Sequence, residues 1–153
     1  MFIAHVPAAY LLSRSLRDPQ AQIALLIGSV APDLDLIRFY FLDGQSIHHH
    51  EYLTHRPLLW ACIGIAALLF WRLRAAKIMG LFSMGALLHM VLDTFLGKIN
   101  WAWPWGEFGG PLTVVPASQS HWILSFLLHW SFMTEVVICA AALWLYLRRR
   151  RHP

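Results

Sequence analysis

The chain has 153 residues, of which 58% are hydrophobic and 13% charged, with a net charge of +4 and eight tryptophans. An average soluble domain is about 45–50% apolar and about 25% charged, so disorder, a collagen-like repeat and an ordinary water-soluble enzyme are excluded. The length suits one domain, and the composition calls for lipid around it.

In chain order, 2–13 and 21–31 are apolar runs of about a dozen residues, the length at which interfacial, re-entrant and buried helices compete with true spans. The opening MFIAHVPAAYLL lacks a basic start and does not read as a secretory signal. Pro32 ends the second run, and the polar tetrapeptide Pro32-Asp33-Leu34-Asp35 follows. Residues 58–71 predict a first full span, with Pro57 as its N1 residue and tryptophans near both ends. Residues 78–97 and 122–147 meet the roughly 20-residue requirement outright and predict two more. Between them, 101–120 is rich in proline and glycine and predicts an interfacial loop anchored by Trp101, Trp103 and Trp105. Cys62 and Cys139 lie in apolar runs without metal-type spacing and read as packing residues. The expected fold is all-α: a polytopic membrane bundle of three spans and two short N-terminal helices, one domain over 1–147 with a basic tail at 148–153.

The basic residues cap the apolar runs: Arg14 and Arg17, then Arg72, Arg74 and Lys77, then Arg148 to Arg151. That is a topology signal, and no nucleic-acid partner is expected. With the C-terminal tail cytoplasmic, alternating spans put nine of the twelve Lys and Arg inside and leave Arg38, Arg56 and Lys98 outside. The same alternation gathers Asp33, Asp35, His48 to His50, His55, His89 and Asp93 toward the extracytoplasmic half.

His89 and Asp93 are four residues apart in a helical segment, so both side chains project from one face and can share an ion. Ionisable residues so deep in an apolar helix mark function by default. The segment His48-His49-His50-Glu51-Tyr52-Leu53-Thr54-His55 adds four imidazoles, the commonest protein metal ligand. Three consecutive histidines cannot all face one ion, so one or two are ligands. Asp33 and Asp35, two apart, suit one ligand and one orienting carboxylate. Taken singly, each cluster has a structural reading: a buried His–Asp bond, a solvated histidine run, an aspartate cap. Their convergence on one side favours a metal site. His129 and Glu135, six apart, do not repeat the pairing and suit interhelical contacts.

These residues resemble the YdjM-like family of bacterial inner-membrane proteins, described as membrane-bound metal-dependent hydrolases. The resemblance rests on His5, Gly28-Ser29-Val30-Ala31-Pro32-Asp33-Leu34-Asp35, His50 with Thr54-His55, Gly85 through His89-x-x-x-Asp93, and Trp103-Pro104-Trp105. Where relatives have a small residue after Thr-His, this chain has Arg56-Pro57. The family is in turn similar to the helical zinc-dependent phospholipase C and single-strand nuclease superfamily, in which an Asp, a later His and a His-x-x-x-Asp pair hold one zinc. The resemblance implies a metal set drawn from His5, Asp33, Asp35, His50, His55, His89 and Asp93. It implies one or two divalent ions, zinc first, with manganese or iron as alternatives. Further ligands of that superfamily are missing, since Ile99 and Met133 stand where they are sought.

The function expected is hydrolysis of a phosphoester in a membrane lipid or lipid-linked small molecule by a metal-activated water, with Asp35 as base and Arg56 or Arg38 pairing the phosphate charge. The rival classes are a non-catalytic module locked by its ions, a small permease and a di-iron oxidase. One histidine box is too few for the oxidase, and one-sided clustering disfavours a permeation path.

Overall fold

The computed structural model describes residues 3–151 and, among these, is helical with no strand. Helices α1 (His5–Ser13) and α2 (Pro19–Gly28) form an antiparallel pair; Pro19 sits in the first turn of α2, and the Asp18 carboxylate accepts from the Gln20 N–H at 2.9 Å. A 3₁₀ turn over Pro32–Leu34 leads into α3 (Asp35–Phe41), and two more, His49–Glu51 and Leu53–His55, precede α4 (Pro57–Leu69). Then come α5 (Arg74–Asp93), α6 (Trp122–Leu127) and α7 (Trp130–Arg151).

Helix α5 is the centre of the molecule, packed against α2, α4 and α1, while α7 lies along α1. Small residues set the α2–α5 distance. A Cβ on Gly28 would strike the Phe82 carbonyl, and one on Gly85 would strike the Leu25 carbonyl, so the two backbones touch where these glycines cross. On the other face of α5 the Ser83 hydroxyl donates to the Trp60 carbonyl of α4. Ala31, Trp60, Ala86, Met90 and Ile99 form the core beside this crossing.

Among the described residues two helices, not three, are long and apolar enough to cross a membrane: Arg74–Asp93, and Trp130–Arg150 of α7. The third expected span, 58–71, is α4 and has 13 residues. At about 1.5 Å per residue it covers roughly 20 Å of a hydrocarbon core about 30 Å thick. The chain turns at Phe70 to Leu73 before α5 begins. The expected single helix over 122–147 is two, because His129 breaks it: its Nδ1 contacts the Ser131 hydroxyl at 2.8 Å at the start of α7. Arg148 to Arg151 of the basic tail continue α7, and residues 152 and 153 lie outside the described residues.

Only 17% of the apolar window of α7 is buried. Large apolar side chains such as Leu69, Val137, Leu143 and Trp144 are exposed, more than a water-soluble surface of this size tolerates. The loop after α5 folds back on that helix, with Leu112 N–H on Thr94 O at 2.9 Å and Thr113 N–H on Phe95 O at 3.0 Å. Of its three tryptophans, Trp105 is exposed, whereas Trp101 packs on the core and donates its indole N–H to the Thr94 hydroxyl.

Candidate metal centre

Four separate segments meet at the last turn of α5. His89 and Asp93 come from that turn, Asp33 from the 3₁₀ turn after α2, His55 from the 3₁₀ turn before α4, and His5 from the first turn of α1. Helix period alone puts His89 and Asp93 on one face. The glycine crossing brings the end of α2, and with it Asp33, over that face.

Asp33, His55, His89 and Asp93 each offer one ligand atom, all within 4.8 Å of one another. His89 Nε2 lies 3.0 Å from Asp93 Oδ2 and 3.5 Å from Asp33 Oδ1; His55 Nε2 lies 3.7 Å from Asp33 Oδ1 and 3.9 Å from Asp93 Oδ2. Zinc bonds of about 2.0–2.2 Å in a tetrahedron put ligand atoms roughly 3.3–3.6 Å apart, and these separations bracket that range, within a few tenths of an ångström of a single-ion site. His55 and His89 are fully buried, yet neither Nε2 has an aligned hydrogen-bond partner, despite the 3.0 Å approach of Asp93. Buried nitrogens facing carboxylate oxygens without a hydrogen bond are what a shared cation satisfies. The residues fit a metal.

The far sides of these groups are held. His55 Nδ1 is 2.5 Å from Asp35 Oδ2, which also accepts from the Thr54 hydroxyl at 2.5 Å. His89 Nδ1 is 2.8 Å from the Ser29 carbonyl, and a carbonyl only accepts, so this nitrogen carries the proton, and in the neutral ring Nε2 presents its lone pair to the centre. His5 Nε2 is 3.0 Å from Asp93 Oδ1, and its ring stacks on His89 with centroids 3.9 Å apart.

The histidine triplet sits beside the four. His50 Nε2 is 3.6 Å from Asp93 Oδ2, and its ring lies against Gly97, where a Cβ would overlap it. Burial, followed by the neighbouring His49, pushes His50 down to about 3, so it is neutral at pH 7, the state a ligand needs. His49 is lowered too, first by burial and then by His55. His48 is exposed and accepts from the His50 N–H at 3.2 Å.

The sequence profile of the YdjM inner membrane protein family matches residues 2–152. The chain belongs to this family. No curated protein and no solved structure matches it.

For this YdjM-family chain the expected site residues therefore fall into tiers. Asp33, His55, His89 and Asp93 share one centre; Asp35 and His5 lie against its members; His50 lies at its edge. Sequence reasoning passed over Thr54 and His49 as individual site residues and had no means of finding the Ser29 carbonyl. Arg56 is not in the centre but on a cavity of about 1190 Å³ that opens from it. Its guanidinium donates to the Glu51 carbonyl at 2.7 Å and lies over the Trp103 ring at 5.9 Å. Arg38 is committed elsewhere, to Asp43 at 2.9 Å.

Proposed function

We propose that this inner-membrane protein is a metal-dependent hydrolase cleaving a phosphoester in a lipid or lipid-linked substrate. The observation that carries the reading is the pair of fully buried, unpartnered imidazole nitrogens of His55 and His89, facing Asp33 and Asp93. In the proposal those four side chains hold one divalent ion, zinc first, with manganese or iron as alternatives, and leave a further position open to water. When bound, such an ion lowers the pKa of a water and polarises a phosphoryl oxygen. The order Asp, His, His-x-x-x-Asp also resembles the zinc-dependent phospholipase C and nuclease superfamily.

The chain's own groups supply the rest. Asp35 and the Ser29 carbonyl orient the two imidazoles, and His5 orients the Asp93 carboxylate. Asp33, with a side chain 35% exposed, is the most open of the four and takes the proton-accepting role expected of Asp35, whose Oδ2 is occupied by Thr54 and His55. Arg56 pairs with the phosphoryl charge from the cavity wall. Ligand pockets span about 300–1,000 Å³, so a cavity this large, walled in part by Leu36, Phe39, Val114 and Phe126, accommodates a head group with the start of an acyl chain.

The proposed orientation has the C-terminus in the cytoplasm and the site toward the other side, in a multi-pass chain. It is supported by Arg14, at the end of α1 away from His5, which lines one surface pocket with Arg148 and Arg149. A second reading, a non-catalytic module locked by its metal, is favoured by one fact: the centre ties together three segments far apart in the sequence, the turns before α3 and α4 and the end of α5.

Metal analysis of the purified protein, followed by a panel of phospholipid and phosphomonoester substrates with wild type and His89→Ala, decides between them. Stoichiometric metal with turnover that His89→Ala abolishes supports the hydrolase. Stoichiometric metal without turnover on any ester class leaves the structural module, and no bound metal removes both.

A further inference from the structure

Behind the four-residue centre lies a second pair of ligand atoms that the proposed reaction does not use. Asp35 Oδ1 is buried and has no hydrogen-bond partner, although the same carboxylate's Oδ2 is doubly engaged by Thr54 and His55. The Asp35 side chain is 4% exposed, so this oxygen has lost its water without gaining a donor. Opposite it, 3.9 Å away, is His49 Nδ1, a second buried atom without a partner. A protonated Nδ1 aimed at the carboxylate would close to hydrogen-bond distance, as His55 Nδ1 does on the other oxygen. The gap instead leaves room for an ion between the two atoms: bonds of about 2 Å reach across it at a wide angle, and closure by a few tenths of an ångström brings the pair to the tetrahedral separation.

We propose that Asp35 Oδ1 and His49 Nδ1 bind a second, weaker divalent transition-metal ion beside the first centre. The proposal rests on the metal-centre reading above. With His55 Nε2 directed at the first centre, its Nδ1 stays protonated toward Asp35 Oδ2 and is unavailable to the second ion. The protein thus provides one carboxylate and one imidazole there, and water or a substrate oxygen completes the shell. Two protein ligands instead of four make the site the weaker one. His49 lines the cavity while Asp35 does not, which puts the second ion on the substrate side of Asp35. Asp35 then links the sites: one oxygen steadies the His55 imidazole and the other takes the outer ion, so filling the outer site draws charge from the group that orients the inner ligand.

The test is equilibrium dialysis of the full chain in detergent, stripped with chelator and titrated with zinc chloride, with bound zinc measured at each free concentration. Wild type is expected to bind two equivalents, the second at least about ten-fold more weakly. His49→Ala, and independently His49→Gln, should lose the second equivalent and keep the first, whereas His48→Ala keeps both. One equivalent in wild type, lost in His89→Ala, overturns the second site and leaves the inner centre standing. A second equivalent that survives both His49 variants, or that falls with His48→Ala, also overturns it, since zinc then sits on the exposed histidine turn. No zinc bound to wild type overturns both readings together.

Discussion

His55 is clamped between two aspartates, its Nδ1 2.5 Å from Asp35 Oδ2 and its Nε2 3.7 Å from Asp33 Oδ1. The near contact fixes the ring's tautomer and direction, and the far one faces the centre. A carboxylate behind a ligating imidazole raises its basicity, and loss of such a partner typically costs about 10–100-fold in metal affinity. Asp35→Asn should weaken binding at the inner centre by that order while leaving one equivalent bound at saturating metal. Competition against a fluorescent zinc chelator measures it, and unchanged inner-site affinity would rule out the orienting role.

Removing the metal should also destabilise the fold, because its four ligands come from three separate chain segments. An ion present at 100 times its dissociation constant contributes about 2.7 kcal/mol, provided the unfolded chain binds it poorly. Thermal unfolding in detergent should shift downward on adding chelator and return on adding zinc. In His89→Ala the chelator should make no difference, and a chelator shift of wild-type size in that variant would sink the centre.

The glycine crossing gives a prediction independent of metal. Gly28→Ala or Gly85→Ala would push a methyl into a backbone carbonyl of the facing helix, which cannot swing aside as a flexible side chain can. Overpacking of this kind costs about 1–3 kcal/mol. Because Ser29 and Asp33 ride on the end of α2, each variant should lower zinc affinity as well as thermal stability. Gly106→Ala, where nothing lies near the added carbon, is the control and should change neither.

A pH window follows from the clamp on the segment before the histidines. Tyr52 donates its hydroxyl to Asp43 Oδ2 at 2.5 Å, and the Arg38 guanidinium sits on the same oxygen at 2.9 Å. The Tyr52 hydrogen bond, followed by the Arg38 charge, holds the Asp43 carboxyl below its ordinary 3.8, while Asp43 raises the Tyr52 phenol above 10.0. A depressed carboxyl stabilises the fold above 3.8 and loses that effect as pH falls through its lower folded value. A raised phenol stabilises below 10.0 and loses its effect as pH rises through the higher folded value. Hydrogen exchange of residues 42–52, corrected for intrinsic rates, should show protection across the interval and loss at both ends. Asp43→Phe should flatten the profile; a profile unchanged from wild type would refute the clamp.

Arg56→Gln should raise KM for an anionic ester with kcat nearly unchanged, since its guanidinium stands on the cavity wall and not among the four ligands. Steady-state kinetics on the best ester from the panel measure this. A fall in kcat alone would move Arg56 into the transition state.

Several features were legible in the residues themselves. His89 and Asp93 share a face because helix period is a local property, and Pro57 starts a helix because its ring fixes φ. The choice between Asp33 and Asp35 was not legible. Spacing suggested a shared direction, but the 3₁₀ turn that separates them sends Asp33 into the centre and Asp35 behind His55. Nor could a run of three histidines say which imidazole is buried, since Gly97, far along the chain, forms the wall against His50.

The sequence by itself determined the lipid-compatible composition, the helical class, the family and the stock of His and Asp from which a metal centre can be drawn, all consequences of residue type and short-range spacing. Only the tertiary structure decided the number of span-length helices, the membership of the four-atom centre and the role of Asp35. These depend on how α2 and the turn before α4 pack on α5, and the α2 contact is set by two glycines meeting backbone carbonyls across a helix crossing.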